Sequence, residues 1–102
     1  MKVKVIVLDN TMNTKNFEEI SEILKALAHP VRLCIVSGLL DKGECNVNYM
    51  KDCLNLPQST VSQHIQKLRS LGIIEGERNG TEIKYKVVDE ATIKIIEAIF
   101  SK

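Results

Sequence analysis

Apolar residues recur along this chain with two different periods, and each change of period marks a new element. At the start, Val3, Val5 and Val7 alternate with Lys2 and Lys4, the two-residue period of a strand. This predicts a strand-like arm over residues 1–15. The period then lengthens. Ile20, Ile23, Leu24 and Leu27 share one helical face, so a helix is expected from Phe17 to Ala28, with Asn16 as its cap. His29-Pro30 ends it, and Pro30 suits the first turn of a second helix, Val31 to Leu40, before Gly43 breaks the chain. Val47, Met50 and Leu54 form the inner side of a short third helix, Asn46 to Leu54.

The connection Asn55-Leu56-Pro57 is tight. Pro57 disfavours the helical region for Leu56, while its own fixed φ suits the start of another helix. In that fourth helix Val61, Ile65, Leu68 and Leu71 make an apolar stripe, and Gly72 supplies a left-handed stop. The opposite face carries Ser59, Ser62, Gln63, Gln66 and Arg69. Hydroxyls and amides in the first two turns suit a helix that enters the major groove, where Gln pairs with adenine and Ser bonds bases or phosphate. An ordinary solvated helix accounts for the stripe equally well. What separates the two readings is the flanking sequence, because two helices joined by so short a turn make a helix-turn-helix.

Beyond Gly72 the period returns to two. Ile73 to Arg78 and Thr81 to Val87 read as strands flanking Asn79-Gly80, a dipeptide suited to a type I′ turn with positive φ at both central positions. Ile83, Tyr85 and Val87 alternate with Glu82, Lys84 and Lys86, giving one buried and one wet face. Asp89 then caps a last helix that runs through Ser101. Its Ile93, Ile95, Ile96, Ile99 and Phe100 exceed what one core-facing stripe needs. The expected fold is α+β and mostly helical: a winged helix-turn-helix with a β-hairpin wing and terminal dimerisation helices. It occupies residues 16–102 behind the arm.

This pattern resembles the ArsR/SmtB family of bacterial winged-helix repressors. The similarity runs from about Asn16 to Phe100. Its strongest pieces are Ala26-Leu27-Ala28-His29-Pro30-Val31-Arg32-Leu33, Leu56-Pro57-Gln58-Ser59-Thr60-Val61-Ser62-Gln63-His64 and Glu77-Arg78-Asn79-Gly80. The resemblance implies a homodimer, joined through its first and last helices, that binds a double-stranded DNA operator until an inducer loosens it. It also implies DNA contacts at Gln58, Ser59, Ser62 and Gln63, with Val47 near the groove edge. Lys67 on the reader and Arg78, Asn79 and Lys84 around the wing tip complete the expected DNA-binding set.

Inducer chemistry is the point where this chain departs from its relatives. Thiolate-box members carry two cysteines, one residue apart, ahead of the reader; the matching positions here are Asn46 and Asn48, which offer no soft ligand. In the second family metal site Asp89 matches the first ligand, but Ala91 stands in place of the histidine. The dithiol of persulfide-sensing relatives aligns with Ser37 and Ser101. No metal and no cofactor is expected. Of the three cysteines, Cys34 reads as a core residue, Cys53 is ambiguous, and Cys45, at a helix N-terminus, is the candidate for redox control. A thiol-responsive repressor using Cys45 is therefore one alternative. A winged-helix protein-interaction module is another, although the reader face lacks the aromatic anchors that such a surface needs.

Composition narrows the remainder. At 102 residues the chain suits one small domain, which would gain from a dimer interface. A net charge of +1 leaves DNA binding to local clustering: Lys67, Arg69, Arg78, Lys84 and Lys86 lie in the reader and hairpin, while Glu18, Glu19 and Glu22 crowd the first helix. Three unpaired cysteines suit a reducing cytoplasm. The apolar start is short, broken by Lys4 and followed by Asp9-Asn10, so neither export nor membrane insertion is expected. With no Gly-rich nucleophile elbow or phosphate loop, an enzyme is not expected either.

Overall fold

Helical and strand periods alternate in space as they do in sequence. A computed structural model describes residues 14–100 in the order α1 (Thr14–Leu27), α2 (Pro30–Lys42), α3 (Val47–Leu54), α4 (Gln58–Ser70), β1 (Ile74–Asn79), β2 (Glu82–Val87) and α5 (Glu90–Phe100). The α+β winged helix-turn-helix arrangement is present, with β1 and β2 as an antiparallel hairpin. Most of the expected arm, and Ser101, lie outside the described residues. Thr14 and Lys15, assigned to that arm, instead open α1. Asn16 therefore sits within the first turn of α1 and does not cap it.

All five helices contribute to one core. Val36 and Leu39 from α2, Val61, Ile65 and Leu68 from α4, and Ile73 and Ile74 at the head of the hairpin are essentially buried. Truncating one such residue, for example Leu68→Ala, costs about 2–5 kcal/mol. The α4 stripe holds as expected, with Leu71 partly buried at its end. Within α2, apolar residues point in several directions. Ile35, Val36 and Leu39 turn inward, whereas Cys34, expected in the core, is exposed. The continuous run Leu33-Cys34-Ile35-Val36 conceals this, because successive residues turn by about 100° around a helix and four in a row cannot all face inward.

Each joint has its own lock. His29 Nδ1 accepts from the Val31 amide at 3.2 Å and caps α2. Asn46 Oδ1 accepts from the Tyr49 amide at 2.8 Å and caps α3. Asp89 Oδ2 accepts from the Thr92 amide at 2.9 Å and from the Thr92 hydroxyl at 2.6 Å. That second bond satisfies a hydroxyl on a fully buried residue. Between α3 and α4 the turn rests on Asn55 in the left-handed region at φ 55°, a conformation Asn tolerates better than most residues.

The hairpin differs from expectation at its tip. Asn79 pairs with Glu82 as the last rung of the ladder, so the two loop residues are Gly80 and Thr81. Gly80 has φ +70° and Asn79 is not among the positive-φ residues. Glycine at the first central position is the pattern of a type II′ turn, not the type I′ turn that Asn79-Gly80 suggested. Lower down, Gly76 lies opposite Tyr85. A Cβ at Gly76 would meet Tyr85 Cε1 at 2.7 Å, so the buried ring lies over a position that must lack a side chain.

Candidate nucleic-acid interface

The reader helix is held from below and open above. Val61, Ile65 and Leu68 fix α4 to the core, while Gln58, Ser59, Gln63, Gln66 and Lys67 are exposed and Ser62 is partly so. Gln58 and Ser59 open the helix and Ser62 and Gln63 follow one turn later, so the structure gathers the four expected base-reading residues in the N-terminal half of one helix. The first turn carries no acidic residue, and Pro57 provides no side-chain cap. Its free amides and the positive end of the helix dipole are suited to a phosphate. Val47 opens α3 and is partly buried.

Three contacts tie the segment ahead of α3 to the wing. Cys45 and Tyr85 exchange backbone hydrogen bonds, at 3.1 Å from the Cys45 amide and 2.8 Å from the Tyr85 amide. The Asn46 side-chain amide donates to the Glu82 carboxylate. Lys84 Nζ lies 3.7 Å from Glu44 Oε1. Asn46 thus has two structural jobs: it caps α3 and braces the wing. The doubled use is invisible in the sequence, because Glu82 lies 36 residues away.

The wing is less simply basic than its sequence suggested. Arg78 pairs with Ile83 and Glu77 with Lys84 across the hairpin. Directly opposed residues share a face and neighbours alternate, so Arg78 and Lys84 lie on opposite faces of the ribbon. Lys84 is also engaged by Glu44. The two strands carry Glu75, Glu77 and Glu82 against Arg78, Lys84 and Lys86, so their charges cancel. By contrast α4 holds Lys67 and Arg69 with no acidic residue. Local positive charge thus sits on the reader, with Arg78 as an exposed cation near the wing tip.

Sequence reasoning also missed a polar cluster beneath α4. The rings of His29 and His64 stand 4.7 Å apart between centroids. Arg32 Nε donates to the Ala26 carbonyl at 2.8 Å, and its Nη1 lies 3.4 Å from His64 Nδ1. A guanidinium can only donate, so Nδ1 must accept, which suits a neutral imidazole. Burial lowers the His64 pKa below its ordinary 6.5, with His29 and Arg32 adding to the shift. The signal was present in the His29-Pro30-Val31-Arg32 and Gln63-His64 motifs, but only folding brings them together.

The cysteine chosen from the sequence is poorly placed for redox work. Cys45 is buried, and burial pushes its thiol above the ordinary value despite the opposing Lys42 charge. It precedes the Asn46 cap and lies outside α3. Among the described residues no three His, Cys, Asp or Glu side chains come together in a way that would hold a metal ion, and no single helix is long and apolar enough to cross a membrane.

Comparison with known proteins supports this geometry. Residues 27–77 match a family described as a helix-turn-helix domain. The transcriptional repressor PagR of Bacillus anthracis is 37% identical over 97 residues, spanning 92% of this chain and 97% of PagR. Its crystal structure superposes with a TM-score of 0.79 at 38% identity, over 85% of this chain and 99% of that one. The repressor SmtB of Mycobacterium tuberculosis is 41% identical over 75 residues, 74% of this chain. The aligned segment spans only 55% of SmtB.

Proposed function

The chain belongs to the ArsR/SmtB family of winged-helix transcriptional repressors, and from that premise we propose that it is a dimeric, operator-binding repressor acting on cytoplasmic DNA. The observation that carries this reading is the two-faced α4: a fully buried stripe under an exposed row of short hydroxyls and amides. Gln63 pairs with an adenine edge, Ser59 and Ser62 bond bases or phosphates, and Gln58 with the free amides of the first turn fixes register on the backbone. Arg78 reaches the phosphates beside the half-site. The reading invokes no metal, cofactor or catalytic step.

Dimerisation follows from what α1 and α5 leave uncovered. Ile20 and Leu24 on α1, and Ile99 and Phe100 on α5, are between 43% and 60% exposed, an apolar surface that a second copy would cover. One reader per protomer then addresses two half-sites related by two-fold symmetry. Operator selection from random duplexes, followed by Gln63→Ala, tests the readout. The expected loss is about 1–3 kcal/mol on the selected site with relaxed preference at one base pair. Equal loss on random DNA would assign Gln63 to backbone or scaffold contacts. Ile99→Glu should shift the protein to monomer in sedimentation; an unchanged dimer removes α5 from the interface.

A further inference from the structure

All three cysteines, distant in sequence and read separately there, line a single cavity of about 390 Å³ between α2 and α3, within the size range of small-molecule sites. Cys34 and Gly38 come from α2, Cys45 from the segment before α3, and Met50 and Cys53 from α3 itself. None of the lining residues belongs to α1 or α5, or to the reader face. Lys42 and Tyr49 stand on the same wall, with the ammonium 4.9 Å from the ring centroid, and the Lys42 charge acts on the Cys45 thiol.

Gly38 gives a second, independent observation. Glycine inside a helix sacrifices helix propensity and is usually explained by a close neighbour. Here a Cβ would find no heavy atom within 4 Å. What the missing side chain does leave is space, one helical turn from Cys34 on the cavity wall. The thiols do not come together closely enough for an ion, so a ligand touching them is a molecule with apolar bulk.

We propose that the α2–α3 cavity is an effector site for small, flat, apolar carbon electrophiles of the quinone class, which add to Cys53. The sulfur of Cys53, exposed on the cavity wall, attacks a ring carbon next to the carbonyl. The C=C electron pair moves to the carbonyl oxygen, which takes up the proton released by the thiol. Loss of the ring proton at the attacked carbon and gain of one on the second oxygen leave a thioether-linked hydroquinone. Nothing departs, and the quinone is itself the oxidant. The adduct occupies space against α3 and Cys45, whose backbone is paired to Tyr85 of the wing, and so displaces the DNA-binding elements from one another.

This inference rests on the operator-binding reading, and the experiment separates the two. Full-length protein is treated with 1,4-naphthoquinone, or with iodoacetamide as a measure of bare thiol reactivity, and followed by intact-mass spectrometry, peptide mapping and operator anisotropy. The wild type should gain one quinone mass at Cys53 and lose operator affinity by about tenfold or more, the usual range of effector coupling. Gly38→Leu fills the cavity and keeps every thiol. It should bind operator normally, react with iodoacetamide at the wild-type rate and lose several-fold in quinone rate; Gly38→Ala should fall between. Equal quinone preference in the wild type and both Gly38 variants, or an adduct that leaves operator affinity intact, overturns the site. Failure of untreated protein to bind any operator overturns the repressor reading instead, and the mass measurements still decide the cavity.

Discussion

Replacing Asn46 with Ala removes two interactions from one side chain, and their sizes can be worked out separately. Its Oδ1 caps α3 through the Tyr49 amide at 2.8 Å, and loss of such a cap costs typically about 1 kcal/mol. Its Nδ2 donates to the Glu82 carboxylate, a partly buried, charge-assisted bond worth about 1.5 kcal/mol, the low end for a bond to a charged group. The sum is roughly 2.5 kcal/mol, within the roughly 5–15 kcal/mol of a typical domain, so the variant still folds. Urea unfolding at fixed protein concentration should show a lower midpoint with an unchanged slope. Asn46→Ser separates the terms: it retains a capping oxygen, loses the reach to Glu82, and should recover somewhat under half of the deficit. Operator affinity should fall in both variants, because each removes one of the three contacts that tie the wing to the segment ahead of α3. An Asn46→Ala protein as stable as wild type, or a Ser variant no better than Ala, would falsify the assignment of both jobs to this residue.

Further expectations concern the wing and the histidine pair. Arg78→Ala should weaken binding to all sequences alike and reduce the salt slope by about 0.9 for one lost phosphate contact; an unchanged slope removes the wing from the interface. Gly76→Ala should cost about 1–3 kcal/mol in thermal or chemical unfolding, since its Cβ must displace the Tyr85 ring, and an effect no larger than that of an exposed surface substitution refutes the close packing. The His64 pKa is depressed on folding, chiefly by burial and then by His29 and Arg32. The unfolded chain therefore takes up the proton first, and the contribution is full above pH 6.5 and lost as pH falls through the lower folded value. His64→Gln should flatten that part of a stability-versus-pH profile; an identical profile assigns the loss to other groups.

What the sequence revealed and what it hid divide along a physical line. The α4 stripe, the Asp89 cap and the order of elements depend on residues within one or two turns of each other, and these were legible. The tip of the wing was misread because Asn79-Gly80 is a strong local turn signal, whereas the loop is set by strand register, which pairs Asn79 with Glu82 and leaves Gly80 and Thr81 to turn. Cys34 was misplaced because an unbroken apolar run says nothing about helical phase. The Arg32–His64 contact, the Asn46–Glu82 brace and the shared cavity of Cys34, Cys45 and Cys53 each join residues from separate elements. No spacing rule on a single element could bring them together.

The pairing of Cys45 with Tyr85 has a mechanical side. It grips the second strand of the hairpin part-way along by its backbone, and beyond it the side-chain contacts of Lys84 with Glu44 and of Glu82 with Asn46 steady the strand up to the turn at Gly80-Thr81. At about 3.4 Å per residue the tip stands roughly 14 Å past that grip. The ribbon is thus a lever with its short arm at the mouth of α3 and its long arm ending at the Gly80-Thr81 turn. A tilt of about 8° at the grip moves the tip by roughly 2 Å over that length, enough to turn a hydrogen bond to phosphate into a gap. Motions at Cys45 too small to disturb the core would therefore be magnified at the wing tip, the part that the proposed function sets against the duplex.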